Sequence, residues 1–175
     1  MMKIYFSIGI ENGIRRDYNE FKQFVINVLK HPYGWKRFYP DLEFIEVKSG
    51  NSMTKTHPLI LKIILTKSET VKRECDFINL SCYDPTKLKS TNIHYIYINL
   101  NNWTNPKIGA TNAQLSLTEY RQYIVQHEFG HAIGKGHLNP RYYTGQPCPI
   151  MAQQTKGIFS SIPNIFPTEA DFQLA

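Results

Sequence analysis

The sequence predicts a single α/β domain in which strands alternate with helices. Segments with the two-residue period of a strand alternate along the chain with segments that have the 3.6-residue period of a helix. The chain has 175 residues, of which 42% are hydrophobic and 19% are charged, and this composition excludes disordered, coiled-coil and collagen-like chains. No linker rich in Pro, Gly or Ser separates two cores, so residues 1–175 are expected to form one domain.

The first part of the chain is predicted to contain three strands and a helix. Residues 4–10 form an apolar strand, and Asp17 is the expected N-cap of the helix that follows. Residues 42–47 alternate apolar with acidic side chains, whereas residues 59–65 are rich in Ile and predict a more deeply buried strand. The polar segment 49–52 between these two strands is predicted to be a turn.

The second part contains the clearest strand and the clearest helix. Residues 93–100 have strict strand periodicity, and the polar segment 101–112 after them is predicted to be a loop. Ser116 and Glu119 form a capping box, in which each side chain can bond the main-chain N–H of the other residue. The helix that begins there is expected to cover residues 117–133.

This helix carries the pattern HExxHxxGxxH, formed by His127, Glu128, His131, Gly134 and His137. His127 and His131 are one turn apart on one helix face, so both imidazoles can reach the same metal ion. Gly134 ends the helix and permits the turn that returns His137 to that ion. With this composition, the five residues would occur at this spacing by chance on the order of once in fifty thousand sequences.

Three imidazoles with a water in the remaining position are typical of a catalytic zinc site. Zinc lowers the pKa of its bound water toward about 7 and polarises a carbonyl oxygen beside it. Glu128 lies next to the ligand face, where it can act as the general base while the resulting hydroxide attacks a peptide carbonyl. The pattern therefore predicts a zinc-dependent metalloendopeptidase with one Zn²⁺ per chain, although three imidazoles also suit copper, nickel or cobalt.

The extended motif resembles that of the metzincin clan of zinc metallopeptidases. The segment Pro149-Ile150-Met151 resembles their Met-turn, in which Met151 would form an apolar floor under the metal and would not be a ligand. The stretch 120–155 is similar in more detail to an uncharacterised metzincin-like domain family. The resemblance implies a mixed, twisted sheet with a backing helix and an active-site helix in an upper part, about residues 1–137. It also implies a small irregular lower part, about residues 138–175, with the Met-turn and a terminal helix that Thr168 would cap.

The resemblance further implies that a peptide substrate binds in extended form to the edge strand that precedes the active-site region. Residues 93–100 are the candidate strand, and Tyr95 and Tyr97 either flank the cleft or pack against neighbouring strands. Several metzincins have a Tyr two residues after the Met that assists at the metal, whereas this chain has Gln153 there. Tyr142 and Tyr143 are candidates to replace that tyrosine.

The three cysteines are too few for a disulfide scaffold. Reduced, buried thiols are expected, with pairing of Cys75 and Cys82 as the alternative in an exported protein. Cys148 is close to the Met-turn in sequence, and a buried thiol is expected there in preference to a metal ligand.

The net charge of +6 raises the question of an anionic partner. Residues 1–90 hold 15 Lys and Arg against 10 Asp and Glu, but these basic residues are dispersed and lie outside the motif, so a solvated surface is expected and nucleic acid is not. No signal peptide or membrane-spanning segment is predicted, which by default indicates a cytoplasmic monomer. The alternative functions are a zinc-binding but catalytically silent peptide-binding module and a basic nucleic-acid-binding protein. Glu128 argues against the silent module, because peptide binding needs no base.

Overall fold

The computed structural model describes residues 2–48, 59–77, 79–105 and 115–174, and it has the α+β class with a mixed sheet that the sequence predicts. Its strands are β1 (Met2–Ile10), β2 (Leu42–Glu46), β3 (Ile60–Thr66), β4 (Cys82–Asp84) and β5 (Ile93–Asn99). Its helices are α1 (Tyr18–Leu29), α2 (Ser68–Cys75), α3 (Leu88–Thr91), α4 (Leu100–Thr104), α5 (Leu117–Ala132) and α6 (Glu169–Gln173).

The strands form one sheet in the order β2-β1-β3-β5-β4. The first four strands in this order are parallel, whereas β4 runs antiparallel to β5 and forms one edge of the sheet. The central strand β3 is apolar on both faces apart from Lys62 and its last residue, Thr66, as expected for a strand whose two sides are covered, whereas β2 alternates apolar with exposed acidic residues. The antiparallel edge strand β4 borders the same cleft as the histidines of the HExxHxxGxxH motif.

Helices α1 and α5 pack on the same face of the sheet. Alternate residues of β1 and β5 point toward them and form the main core, among them Ile4, Phe6, Ile96 and Ile98. On the opposite face, α2 packs through Val71 against side chains of β4 and β5. The two faces of β5 therefore differ, and only one of them lies toward α5.

Buried hydrogen bonds fix α5 against the end of α1. The indole Nε1 of Trp35 donates to the main-chain oxygen of Gln126 at 2.9 Å, and Gln126 Nε2 donates to the main-chain oxygen of Val28 at 3.0 Å. Trp35 is 1% exposed, so loss of its partner would leave a buried polar group unsatisfied. These contacts hold the helix that carries His127 and His131 in a defined position above the sheet.

The structure confirms the predicted helix starts. Asp17 accepts hydrogen bonds from the main-chain N–H groups of Asn19 and Glu20, and Ser116 forms the predicted capping box with Glu119. Thr168 caps α6 in the same way through Asp171. The predicted strands are present within two residues at each end.

Other predictions are wrong or lie outside the described residues. The loop expected at 101–112 begins with α4, because Asn99 caps it by accepting a hydrogen bond from the N–H of Asn101. The rest of that loop from residue 106, and the turn at 49–52, lie outside the described residues. The assignment of residues 93–100 as the edge strand is wrong, because β5 lies between β3 and β4.

The expectation of reduced thiols is wrong for two of the three cysteines. Cys75, the last residue of α2, and Cys82, the first residue of β4, form a disulfide. The bond fixes the edge strand to the helix on the opposite face of the sheet. Within the described ranges, no helix is both long and apolar enough to cross a membrane.

Gly130, near the end of α5, provides a test of how closely the lower part approaches this helix. An added Cβ would clash with Sδ of Met151 and would lie 2.8 Å from Cζ2 of Trp35. We therefore expect Gly130→Ala to destabilise the protein by about 1–3 kcal/mol through overpacking, although Ala favours a helix over Gly by about 1 kcal/mol. Urea unfolding measures the change.

The matched control is Gly9→Ala, since an added Cβ there meets nothing within 4 Å. A Gly130→Ala protein as stable as wild type would contradict the close packing of Met151 on α5.

Candidate metal centre

The three histidines of the motif converge in the structure. His127 and His131 project from α5, and His137 returns after a turn in which Gly134 has a φ of +89°. One ligand nitrogen from each imidazole lies within 4.8 Å of the others, and Nε2 of His131 is 3.1 Å from Nε2 of His137. The structure therefore brings together the three ligands that the sequence predicts.

Main-chain carbonyls orient two of these rings. Nδ1 of His127 is 2.7 Å from the carbonyl oxygen of Ile150, and Nδ1 of His131 is 2.8 Å from that of Lys135. Because a carbonyl oxygen only accepts, each Nδ1 must carry the hydrogen, and each Nε2 is left with a free lone pair. Two ligands on a tetrahedral Zn²⁺ at about 2.1 Å are roughly 3.4 Å apart. The donor type and the spacing of the rings thus fit a zinc ion.

The electrostatic environment keeps these imidazoles neutral. Burial, reinforced by the neighbouring histidines, lowers the pKa of His127 to about 3 and that of His137 to about 4. Burial also lowers the pKa of His131, against the opposing effect of its hydrogen bond to Lys135. Neutral imidazole is the form that binds metals, so the site needs no proton release from these rings near pH 7.

Glu128 lies in the same cleft as the three histidines and is 6% exposed. Burial raises the pKa of its carboxyl to about 8, while a hydrogen bond from the main-chain N–H of Tyr83 lowers it. A carboxylate with a pKa this close to neutrality can both accept and return a proton during a reaction.

The turn that contains Met151 lies against α5, and the carbonyl of Ile150 in this turn contacts His127. The Met151 side chain is fully buried, and its sulfur packs against Gly130 of α5. The turn is held by Asp171 of α6, whose carboxylate accepts hydrogen bonds from the N–H groups of Ile150 at 2.9 Å and Met151 at 2.7 Å. Burial raises the pKa of Asp171, and these hydrogen bonds oppose the shift.

The cleft between α5 and β4 has a volume of about 230 Å³. Tyr83 of β4 borders it, with its hydroxyl 2.8 Å from Nδ1 of His94 and its ring stacked 6.3 Å from that of His131. Gln153 borders the opposite side, and its Oε1 accepts a hydrogen bond from Lys156 Nζ at 3.0 Å. Sequence reasoning missed Tyr83, because a strand of three residues carries no recognisable period.

The four tyrosines proposed for the cleft are not among the residues that line it. Tyr95 and Tyr97 stack on each other on the opposite face of the sheet, where the ammonium of Lys87 lies over both rings. Their neighbour Ile96 points toward α5, so strand alternation turns both tyrosines away. Tyr142 is 79% exposed, and Tyr143 borders a separate groove beside α6.

Cys148 is buried in a separate small cluster with Ala152 and Ile158. Burial raises the pKa of its thiol to about 11. The side chain is therefore a free, buried thiol, as the sequence predicts.

The family described as "Protein of unknown function (DUF3152)" matches residues 2–172. No curated protein matches the chain. The matched range includes every strand, the three histidines, Glu128 and Asp171.

The raised pKa of Glu128 predicts a pH dependence in the metal-free protein. The folded state holds a proton up to about pH 8, whereas the unfolded chain releases it near 4.5, so this group's contribution to stability is lost as pH rises through that window. Glu128→Gln removes the ionisable group but keeps an oxygen for the Tyr83 N–H. In EDTA, the stability advantage of the Glu128→Gln variant over wild type should therefore increase between about pH 5 and pH 8.

Chemical unfolding of both proteins at several pH values measures this difference. The histidines titrate in both proteins, so their effect cancels in the comparison. A difference in unfolding free energy that stays constant across the window would contradict the burial of an ionisable carboxyl at this position.

Proposed function

The chain belongs to the DUF3152 family of proteins of unknown function, and from the geometry of its histidine cluster we propose that it is a zinc-dependent metalloendopeptidase. The observation that carries the proposal is the convergence of three neutral imidazoles with a buried carboxylate that opens into the same cleft. A bound Zn²⁺ supplies Lewis-acid chemistry in such a site, since it acidifies a water and polarises a carbonyl oxygen. His127, His131 and His137 would hold the ion. The motif and the turn at Met151 support placing the protein with the metzincin clan.

Glu128 is the proposed general base. Its carboxylate removes a proton from the attacking water and then delivers it to the nitrogen of the leaving amine. The hydrogen bond from the Tyr83 N–H holds the carboxylate in the cleft. A protein that only bound peptides would not need a buried, ionisable side chain at position 128, so this residue favours catalysis over binding alone.

The edge strand β4 supports an extended peptide as the substrate. Tyr83 lies opposite Ile96 in an antiparallel ladder, in which only alternate residues bond to the neighbouring strand. Because the Tyr83 N–H is directed to Glu128, its carbonyl oxygen also points away from β5 and toward the cleft. That oxygen is available to accept a hydrogen bond from a peptide N–H, as in recognition by strand addition.

The disulfide supports action in an oxidising compartment. Disulfides persist in secreted, periplasmic or luminal proteins and are reduced in most cytosols. The bond between Cys75 and Cys82 joins a helix to the edge strand of the cleft, so it is part of the proposed binding surface. This proposal differs from the cytoplasmic location that the sequence predicts by default.

Two substitutions separate metal binding from catalysis. His131→Ala removes a ligand and should abolish zinc binding and peptide cleavage together. Glu128→Gln keeps all three ligands and should retain one zinc per chain, while kcat falls by about 10²-fold or more because the base is lost. Elemental analysis of the purified proteins and digestion of a mixed peptide library measure both properties.

The outcomes distinguish the alternatives. Zinc in the wild-type protein with no cleavage of any peptide would favour the catalytically silent binding module. Equal cleavage by wild type and Glu128→Gln would overturn the proposed role of the carboxylate. A wild-type protein that takes up no metal would overturn the proposed function altogether.

A further inference from the structure

Helix α6 is connected to both of the main-chain carbonyls that orient the metal-site imidazoles. The carbonyl of Ile150 accepts from His127, and the N–H of the same residue donates to Asp171 of α6 at 2.9 Å. The carbonyl of Lys135 accepts from His131, and the Lys135 side chain binds main-chain carbonyls at the carboxyl end of α6. A helix that lies more than thirty residues beyond the motif therefore contacts Ile150 and Lys135, whose carbonyls orient two of the proposed metal ligands.

The contact made by Lys135 has well-defined geometry. Its Nζ donates to the main-chain oxygen of Phe172 at 2.8 Å and to that of Leu174 at 2.6 Å, and it lies 5.8 Å from the centre of the Phe172 ring. Carbonyls at the end of a helix lack partners within the helix and carry partial negative charge, so an ammonium is a favourable partner for them. Phe172 itself stacks on Phe38 with ring centres 5.1 Å apart, which fixes this end of α6 against the body of the protein.

The position of Lys135 in the motif gives this contact a consequence for the metal site. Lys135 lies between Gly134 and Gly136, in the turn that connects the second ligand to the third. The Lys135 N–H donates to the carbonyl of Gly130 at 2.9 Å, which fixes the start of the turn. The Lys135 carbonyl is followed by Gly136, whose main chain is conformationally permissive and restrains that carbonyl little. A side chain fixed at its far end therefore restricts the main chain at Lys135, including the carbonyl that accepts from His131.

We propose that Lys135 is a positioning residue of the metal site, which holds its own carbonyl against His131 by binding the carboxyl end of α6. Asp171, which precedes Phe172 in the same helix, acts on the support of His127, so α6 couples the orientations of the two ligands. This inference rests on the proposed metal site but is independent of whether the protein cleaves peptides. It predicts that removal of the Lys135 ammonium weakens metal binding, although the residue contacts no metal.

The test compares the zinc affinity of Lys135→Met with that of wild type, by competition with a chromogenic chelator. Methionine keeps most of the aliphatic stem but cannot donate, and loss of a group that orients a ligand weakens metal binding by about 10–100-fold. Lys135→Arg, which keeps a long cationic donor, should recover most of the lost affinity. The Co²⁺ absorption spectrum of Lys135→Met should also change, because the spectrum reports the geometry of the ligands.

The matched control is Lys30→Met, which removes the same charge from an exposed lysine at the end of α1. It should bind zinc as wild type does. Thermal unfolding of the metal-free proteins shows whether each variant is folded at the temperature of the titration. If Lys135→Met fails to fold, Lys135→Gln, which is uncharged and shorter, serves the same comparison.

Equal zinc affinity and equal Co²⁺ spectra in wild type and Lys135→Met would overturn this inference and would leave the proposed function intact. In that case Lys135 would only fasten α6 to the protein. A wild-type protein that binds no zinc would overturn the proposed function and this inference together.

Discussion

The hydrogen bond from Nδ1 of His127 to the carbonyl of Ile150 joins the helix on the sheet to the lower part of the chain. Both groups are buried, so loss of either partner would cost about 1–3 kcal/mol for the polar group left unsatisfied. The bond requires the turn at Met151 to lie directly against α5. Only a glycine at position 130 leaves space for the Met151 side chain. The orientation of His127, the packing of Met151 on α5 and the docking of α6 through Asp171 therefore depend on one another.

The edge strand β4 has only three residues, and contacts outside the sheet hold it in place. Asn99 Nδ2 donates to the carbonyl of Leu80, and Asn102 Nδ2 donates to that of Asn79, so the segment before the strand is bonded to the start of α4. The disulfide then fixes the first residue of the strand to α2. Because β4 also donates the N–H that holds Glu128, these contacts position both the proposed peptide-binding edge and the base.

The features that could be predicted from the sequence are those governed by local rules. The caps at Asp17 and Ser116, the periodic strands and the spacing of the three histidines all depend on residues close together in the chain. Strand alternation separates Ile96 from Tyr97, but it does not show which face α5 covers, so the sequence leaves two alternatives for Tyr97. The structure has the one in which Tyr97 packs on the face opposite α5. Asp171 and the pairing of Cys75 with Cys82 depend on tertiary contacts that leave no pattern in the sequence.

The disulfide between Cys75 and Cys82 encloses an exposed segment that includes Asp76, Phe77 and Asn79. Exposed loops are the sites at which a folded chain is most readily nicked by a protease. A break anywhere in this segment would leave both new ends covalently joined through the two sulfurs. The cross-link therefore keeps β4 covalently attached to α2 in a chain that has been cleaved between the two cysteines.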